Sequence, residues 1–591
     1  MRSALFSRTN AAVHRVAGRR ISPIQKLCTI AAALFSCRVP AMFTPLAALA
    51  AVAVAQPPLI YNRAVYNAAS YMPAGLPNGA IAQGSIFTLF GSNVGPTTGV
   101  QASAFPLNTT LSGVSIRVIQ GNSSVSAIPL YVSAGQINAI MPSNAPVGMA
   151  SIQVTVGSSK SNLAPVRITS SAFGIFTSLG TGLGPGSLQN FISQNNQPLN
   201  SATITAQPGQ TITLWGTGLG PVSFPDNVPP TAGNLPIKTE VFIGGVSAPL
   251  LYYGRSPQFS GLDQIVFTIP SNAPTGCWVP TYVRTNGTTV SNFVTLAIQP
   301  NGGTCTTDVL PQVTSAYLSG SRLGEAIAVR TTTRHDVGVR APLDVNSDYA
   351  VNFAFQPNPG PFPFNPALAF PPAGSCTVYT LFGDILDSGA LPGIVPTTMP
   401  LDFGPPLSLT GPNGQKTLTA NFSGANVSSL GGSITNGILQ GPLFLDPGSY
   451  HVQGFGGMDI GKFLTAFTIP TPPTWTNRSQ TNTVNRTQPL TISWSGGDSG
   501  QRVAIIGFGV DLPTNSSAAF GCMAPPGTTS FTVPTDVLSN LPATRANPLQ
   551  SKGVIYMMTL SGSSIQNLGA SGLDVGITSF YSIIGKTVVL Q

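Results

Sequence analysis

Apolar and polar positions alternate with a period of two along most of the chain. Residues 81–96 read IAQGSIFTLFGSNVGP and residues 205–221 read TAQPGQTITLWGTGLGP, so each places an alternating run before a Gly-rich turn. Such alternation predicts strands with one buried and one solvated face. About seven short runs fall in each 100 residues of this region, a density typical of immunoglobulin-like β-sandwiches.

A second motif is written twice, as GQINAIMPSNAPVG over 135–148 and DQIVFTIPSNAPTG over 263–276. In each copy Gln-Ile begins an apolar run, which Pro142 or Pro270 should end because proline donates no ladder hydrogen bond. The following Asn-Ala-Pro-x-Gly predicts a reversal into the next strand. We therefore interpret the motif as a strand-and-turn device used once per module, with a direct ligand role as the alternative.

Composition supports an all-β chain. Only 7% of the 591 residues are charged, against about 25% in ordinary domains, and the chain contains 64 Gly and 54 Pro. Glu, Lys and Arg usually carry the exposed faces of helices, so few amphipathic helices are expected. A hydrophobic content of 42% argues against wholesale disorder.

Residues 1–55 have the pattern of an export signal. They hold seven basic residues and no acidic one, and an apolar run leads to the small residues Ala53 and Ala55, which places cleavage before Gln56. The run is about 15 residues, shorter than the roughly 20 that a membrane span needs, so secretion is favoured over a permanent anchor. The remaining 19 basic and 17 acidic residues show no basic patch, and no nucleic-acid partner is expected.

Four cysteines remain after the leader. An even number in an exported chain favours disulfides, and the simplest of the three possible pairings is Cys277–Cys305 with Cys376–Cys522. A zinc site is disfavoured because the chain has no C-x-x-C spacing.

The domain organisation follows from these patterns. We expect an export signal over 1–55, an immunoglobulin-like module over 56–172, a linker over 173–200 and a second module over 201–305. Two further β domains are expected over 306–475 and 476–591, joined by the Pro-rich TPPTWTN.

Several stretches together resemble the Solibacter uncharacterised C-terminal domain family of acidobacterial exported proteins. They are YNAASY, GSIFTLFGSNVGP, QINAIMPSNAPVG, FGIF, LWGTGLGPV and DQIVFTIPSNAPTG, and they span about residues 65–300. That family is similar to IPT/TIG modules, so the resemblance implies export and an immunoglobulin-like fold. It implies no catalytic residues, because the family has no established activity. The family's module usually ends its chain, whereas here residues 301–591 follow.

Two motifs raise the question of catalysis or metal binding. GGDSGQ over 496–501 is similar to the nucleophile loop of chymotrypsin-like proteases, but a triad also needs a histidine and an aspartate, and only His335 and His451 follow the leader. We interpret it as a hairpin turn. DVNSDY over 344–349 resembles the start of a calcium loop but lacks its Gly and Glu, and we expect an exposed loop there.

Aromatic residues raise the question of sugar binding. The four tryptophans are Trp215, Trp278, Trp475 and Trp494. They could stack on sugar rings, but Trp215 and Trp494 lie within alternating strands, so core packing is favoured. The Gly-rich GTGLGPGS over 180–187 lacks the P-loop residues and is interpreted as linker. No pair of carboxylates for glycoside hydrolysis stands out among 17 acids.

Three functional hypotheses remain. The first is an exported, non-enzymatic binding or adhesion protein with no cofactor, whose partner is an extracellular polysaccharide or a surface protein. The second is a structural spacer of the surface or matrix. The third is a hydrolase within 306–591, which needs His335 or His451 in a cleft beside an acid. The fold alone does not choose between the first two.

Overall fold

Strands form almost all of the regular structure, as predicted. The computed structural model describes residues 56–336, 343–382, 398–404, 406–419, 425–432, 434–435, 438–439, 441–498, 500–547 and 550–591. The export signal predicted over 1–55 lies outside the described residues. Among those described, no helix is long and apolar enough to cross a membrane.

The first module, to which the structure gives eleven strands, is an immunoglobulin-like sandwich. The strands are β1 (Leu59–Asn67), β2 (Ile81–Ala82), β3 (Ile86–Ser92), β4 (Val100–Gln101), β5 (Thr110–Leu111), β6 (Val114–Gln120), β7 (Ser123–Val132), β8 (Gln136–Ile140), β9 (Gly148–Val156), β10 (Ser159–Lys160) and β11 (Ala164–Thr169). Their order is β1-β3-β8-β7-β6-β9-β11-β2, with β2 parallel to β11 and the other pairs antiparallel. Alternate residues such as Phe87, Leu89 and Ile137 fill the core.

The second module is a sandwich of two sheets. Its strands are β12 (Gly174–Ile175), β13 (Leu188–Asn190), β14 (Thr211–Thr217), β15 (Thr239–Ile243), β16 (Val246–Ala248), β17 (Leu250–Arg255), β18 (Asp263–Thr268), β19 (Gly276–Thr285), β20 (Thr289–Val290) and β21 (Val294–Ile298). One sheet has the order β12-β14-β18-β17 with β13 on β14, and the other has the order β16-β15-β19-β20 with β21 on β19.

The prediction that 173–200 is a linker is wrong. Gly174 and Ile175 pair with β14, and residues 188–190 add a further strand to the same β14. The Gly-rich turn over 180–187 therefore lies inside the second module. Strands of two or three residues carry too little alternation to be recognised, and only their pairing with a distant strand identifies them.

The repeated PSNAP motif forms the predicted turn in both modules. Strands β8 and β18 end before Pro142 and Pro270, and the proline carbonyl oxygen in each copy accepts a hydrogen bond from the amide of the alanine three residues on, at 3.0 and 3.1 Å. The next strand begins at Gly148 or Gly276. The interpretation as a strand-and-turn device is confirmed.

The described part of residues 306–591 contains twenty strands and two α-helices. They are α1 (Pro311–Ser319), β22 (Leu323–His335), β23 (Leu343–Pro357), β24 (Cys376–Phe382), β25 (Thr398–Pro400), β26 (Leu407–Gly411), β27 (Gly414–Leu418), β28 (Ala425–Gly431), β29 (Ile434–Thr435), β30 (Ile438–Leu439), β31 (Gly448–Gly454), β32 (Phe463–Ile469), β33 (Thr474–Trp475), β34 (Thr483–Val484), β35 (Leu490–Ser495), β36 (Arg502–Asp511), β37 (Ser516–Met523), β38 (Ser530–Val533), α2 (Thr535–Leu538), β39 (Ser551–Leu560), β40 (Gln566–Asn567) and β41 (Val575–Leu590).

The prediction of two successive domains over 306–475 and 476–591 is wrong. One long sheet of order β24-β37-β36-β39-β41-β22-β23-β25 takes strands from both ranges, and β22 runs parallel to β41 from Leu323↔Val575 to Arg334↔Lys586. A four-stranded sheet, β27-β26-β31-β32, and a three-stranded sheet, β33-β35-β38, pack on one face of the long sheet, here called its inner face.

Both predicted disulfides are formed. Cys277 is bonded to Cys305, and Cys376 is bonded to Cys522, its cross-strand partner in the long sheet. The second disulfide ties β24 to β37 across the boundary at which sequence reasoning divided the chain. The fold class is all-β, with two immunoglobulin-like sandwiches followed by a shared long sheet covered by smaller sheets.

Candidate functional site

The side of the first sheet opposite its core carries an aromatic and amide cluster, here called face 1: Tyr66, Thr88, Phe90, Gln136 and Asn138. Tyr66, Phe90 and Asn138 are half-buried, whereas Thr88 and Gln136 are buried beneath the surface at 0% and 6% exposed. Phe87, Leu89 and Ile137 point into the core, so the period of two turns their neighbours outward. In register, Tyr66 lies opposite Thr88 and Thr88 lies opposite Asn138. Face 1 contains no charged side chain.

Three rings cluster over face 1. The ring centroids of Tyr66 and Phe90 are 6.2 Å apart, and Tyr71, which follows β1, stacks on Phe90 at 6.4 Å. Tyr71 has φ = +50°, a conformation that non-glycine residues rarely adopt. Burial raises the pKa of the Tyr66 phenol to about 12 and raises that of Tyr71. Both phenols are therefore neutral near pH 7.

Asn138 presents an oriented donor among these rings. Its Oδ1 accepts hydrogen bonds from Thr88 Oγ1 at 3.0 Å and from Gln136 Nε2 at 2.9 Å. Because both bonds reach the same oxygen, the amide NH2 is directed away from them, and no described residue accepts a hydrogen bond from it. Half-buried rings beside a fixed amide donor have the chemistry of a neutral, hydroxyl-rich ligand site.

The second module carries the equivalent surface, here called face 2: Thr213, Trp215, Tyr252, Gln264 and Val266. Trp215 is half-buried, and its indole NH donates to Gln189 Oε1 at 2.7 Å, which fixes the ring. Tyr252 lies opposite Val266, and its hydroxyl donates to the carbonyl oxygen of Arg255 at 2.6 Å. The Gln264 amide forms no hydrogen bond with another described side chain. Face 2 is also uncharged.

The two faces occupy the same positions of the repeat. Aligning GSIFTLFG with GQTITLWG brings Phe90 onto Trp215 and Thr88 onto Thr213, while the second motif brings Gln136 onto Gln264. The aromatic, the threonine and the glutamine thus lie on the side opposite the core in both sandwiches, with the aromatic ring half-buried and the threonine buried in each copy. Face 1 has Asn138 where face 2 has Val266, so the faces differ in the number of amide donors.

A buried ion pair stands where the two modules meet. Arg255 and Asp263 are 2% and 0% exposed and form a salt bridge. Asp263 Oδ2 accepts the amides of Gly218 and Leu219 at 2.7 and 2.8 Å, and Arg255 Nη2 donates to the carbonyl oxygen of Gly220. Burial raises the pKa of the Asp263 carboxyl. The pair organises the Gly-rich turn after β14 and has no access to a ligand.

Core packing is confirmed for three tryptophans. Trp278, Trp475 and Trp494 are 3–4% exposed. The prediction of core packing is wrong for Trp215, whose ring is half-buried on face 2. The calcium-loop motif is also not an exposed loop, because residues 344–349 lie within β23.

The acidic residues of that motif are already paired with arginines. Asp348 is fully buried against Arg330, and Asp344 pairs with Arg334 and Arg478. In the part of the chain that the structure describes, no three His, Cys, Asp or Glu side chains group as metal ligands.

The protease-like motif is not the predicted hairpin. It connects β35 to β36, which belong to different sheets, and its Ser499 lies outside the described residues. Asp498 accepts hydrogen bonds from the hydroxyls of Ser561 and Ser563. His451 is exposed, and across the described ranges neither histidine hydrogen-bonds a carboxylate.

Comparison with known proteins adds little beyond the fold. No family model and no curated protein matches the sequence. Among solved structures, the titin I9–I11 tandem is 7% identical (TM-score 0.12, 66% of this chain and 94% of that chain). SGBP-B from a complex xyloglucan utilization locus in Bacteroides uniformis is 13% identical (TM-score 0.16, 64% and 86%). SGBP-B from the Bacteroides ovatus mixed-linkage glucan utilization locus is 11% identical (TM-score 0.12, 82% and 93%). These values carry no argument about a ligand.

Proposed function

We propose that this chain is an exported, non-enzymatic protein that binds a neutral polysaccharide through face 1 and face 2. The observation that carries the proposal is the repetition: each sandwich places an aromatic ring, a threonine and a glutamine at the same outward positions. A strand position that faces solvent needs only a polar side chain to keep the protein soluble. Half-buried aromatic rings beside amide groups are not needed for solubility, so their presence in both modules favours ligand binding.

The chemistry of the faces specifies the ligand class. Neither face contains a charged side chain, so an ionic ligand finds no counter-charge there. Sugar rings present apolar C–H faces, which suit Phe90 and Trp215, and hydroxyl groups, which suit the amides of Asn138 and Gln264.

Export belongs to the same proposal. It is supported by the leader pattern over 1–55 and by the two disulfides, which persist in oxidising compartments. The resemblance to the Solibacter family, and with it the surface or secreted location, is likewise part of the proposal. A spacer role is the alternative.

The test is retention of residues 56–591, made in an oxidising compartment, on insoluble polysaccharides and on purified envelope of the producing cell. We expect saturable retention on a neutral polysaccharide. The double variant Phe90→Ala/Trp215→Ala should weaken it by about 2 kcal/mol or more, roughly 30-fold, as for other buried aromatic contacts. Phe455→Ala is the matched control, since Phe455 is 63% exposed and belongs to neither face.

Two results would contradict the proposal. The first is an absence of retention with folded, monodisperse protein, which would favour the spacer. The second is equal retention of the double variant and the wild type, which would move the binding surface elsewhere.

A further inference from the structure

A cleft of about 180 Å³ opens on the inner face of the long sheet, beside the first strand of the three-stranded sheet. Its floor comes from neighbouring positions of two parallel strands, where Arg330 lies opposite Ser582 and Thr332 lies opposite Ile584. One wall is the Pro-rich connection over 472–475, which joins β32 to β33. The cleft therefore lies where the chain passes from the four-stranded sheet to the three-stranded sheet.

The two guanidinium groups at this cleft are fixed and neutralised. Arg330 donates to both carboxylate oxygens of the buried Asp348, at 2.9 and 2.8 Å. Arg478 donates to Asp344 at 3.0 Å and to the carbonyl oxygen of Gly585 at 3.1 Å. Arg330 is paired with Asp348, and Arg478 shares Asp344 with Arg334, which also pairs with Asp336. The cleft therefore offers oriented polar groups whose charges are balanced by neighbouring carboxylates.

The remaining lining combines apolar and hydroxyl groups. Pro472 and Pro473 form an apolar wall that is backed by the buried Trp475, and Thr332 brings a hydroxyl to the floor beside the buried Ser582. The volume is below the roughly 300–1,000 Å³ of pockets for drug-sized ligands, so the occupant must be small. An apolar wall facing convergent polar groups suits a ring with both C–H faces and hydroxyls.

We propose that this cleft binds a single neutral sugar residue, such as the end unit of a glycan. The proposal concerns a different site from faces 1 and 2 and stands without them. It assigns one unit, such as the end of a chain, to the cleft because its volume is only about 180 Å³, whereas the open faces accept a longer stretch.

The test is ligand-observed NMR titration of residues 56–591 with methyl glycosides of glucose, galactose, mannose and xylose, and with glucuronate and galacturonate. We expect at least one neutral glycoside to bind. Thr332→Ile, which replaces the hydroxyl with apolar volume at the floor, should weaken that binding by at least about tenfold. Thr331→Ile is the matched control, because Thr331 is the neighbouring residue of β22 and faces the other side of the sheet.

Phe90→Ala/Trp215→Ala should leave this monosaccharide binding unchanged, which separates the cleft from the polysaccharide faces. A melting temperature of Thr332→Ile equal to that of the Thr331→Ile control confirms that the cleft variant is folded. The proposal is overturned if no neutral glycoside binds, if only the uronates bind, or if Thr332→Ile binds as tightly as the wild type.

Discussion

Glu325 is a buried carboxyl group whose ionisation should make the chain less stable as the pH rises. It lies in β22, 8% exposed, between Phe353 and Ile577 in the neighbouring strands, and Ser579 Oγ donates to its Oε1 at 2.7 Å. Burial raises its pKa from the ordinary 4.5 to about 7, against which the Ser579 hydrogen bond acts weakly. The perturbation we consider is Glu325→Gln, which keeps the accepting oxygen and removes the charge.

The magnitude follows from the shift in pKa. The folded chain binds this proton more tightly than the unfolded chain, so the stabilisation is complete below about pH 4.5 and is lost as the pH rises to about 7. A change of about 2.5 units corresponds to about 3 kcal/mol at 1.36 kcal/mol per unit. Glu325→Gln should remove this loss, so the variant should be more stable than the wild type at pH 8 by up to about 3 kcal/mol.

The assay is urea unfolding at pH 5 and pH 8, followed by fluorescence of Trp475 and Trp494, which lie in the sandwich built on the same long sheet. Comparing variant with wild type cancels the other titrating groups. We expect similar midpoints at pH 5 and a higher midpoint for the variant at pH 8. Parallel pH dependence of the two proteins would refute the raised pKa.

Two further predictions concern the disulfides and the junction between the modules. Replacing Cys376 and Cys522 by Ser should lower the free energy of unfolding by about 5 kcal/mol on the chain-entropy model, and replacing Cys277 and Cys305 should lower it by about 3.5 kcal/mol. The difference arises because the sequence separations are 146 and 28. Thermal unfolding of the two double variants checks this order, and the reverse order would contradict it. Asp263→Ala should lower the free energy of unfolding by about 3–5 kcal/mol, because it leaves the buried guanidinium of Arg255 without its carboxylate. Denaturant unfolding measures this change. A decrease below about 1 kcal/mol would show that the pair is not ionised.

Local sequence patterns predicted the two sandwiches well. Each strand needs only its own alternation and a nearby turn, and the PSNAP turns and the Cys277–Cys305 disulfide follow from short spacings. The Cys376–Cys522 disulfide, with a sequence separation of 146, was predicted because these were the two cysteines left over. The pairing of β22 with β41 joins Leu323 to Val575, and alternation says nothing about which distant strand is the partner. For that reason the long sheet was divided into two domains that do not exist.

The calcium-like motif illustrates a conflict between local and tertiary signals. Asp, Asn and Ser in DVNSDY favour turns, which is why a loop was expected. In the fold, Asp348 accepts the amides of Phe444 and Leu445 in addition to its pair with Arg330. The amides of Phe444 and Leu445 lie 96 and 97 residues away in the sequence. Together with Arg330 they outweigh the turn preference, so the segment is a strand.

The candidate faces could have been found in the sequence by comparing the outward-facing residues of the two copies. Alternation indicates that one side of each strand is buried, and on that basis Trp215 was expected to pack in the core. If the outward residues of the two copies are aligned instead, Phe90 falls on Trp215, Thr88 on Thr213 and Gln136 on Gln264, although solubility alone would let these positions vary freely. An aromatic ring on the outward side of a strand leaves apolar surface partly exposed to water in each copy. Because both copies keep this unfavourable exposure, we assign the ring to ligand binding and not to core packing.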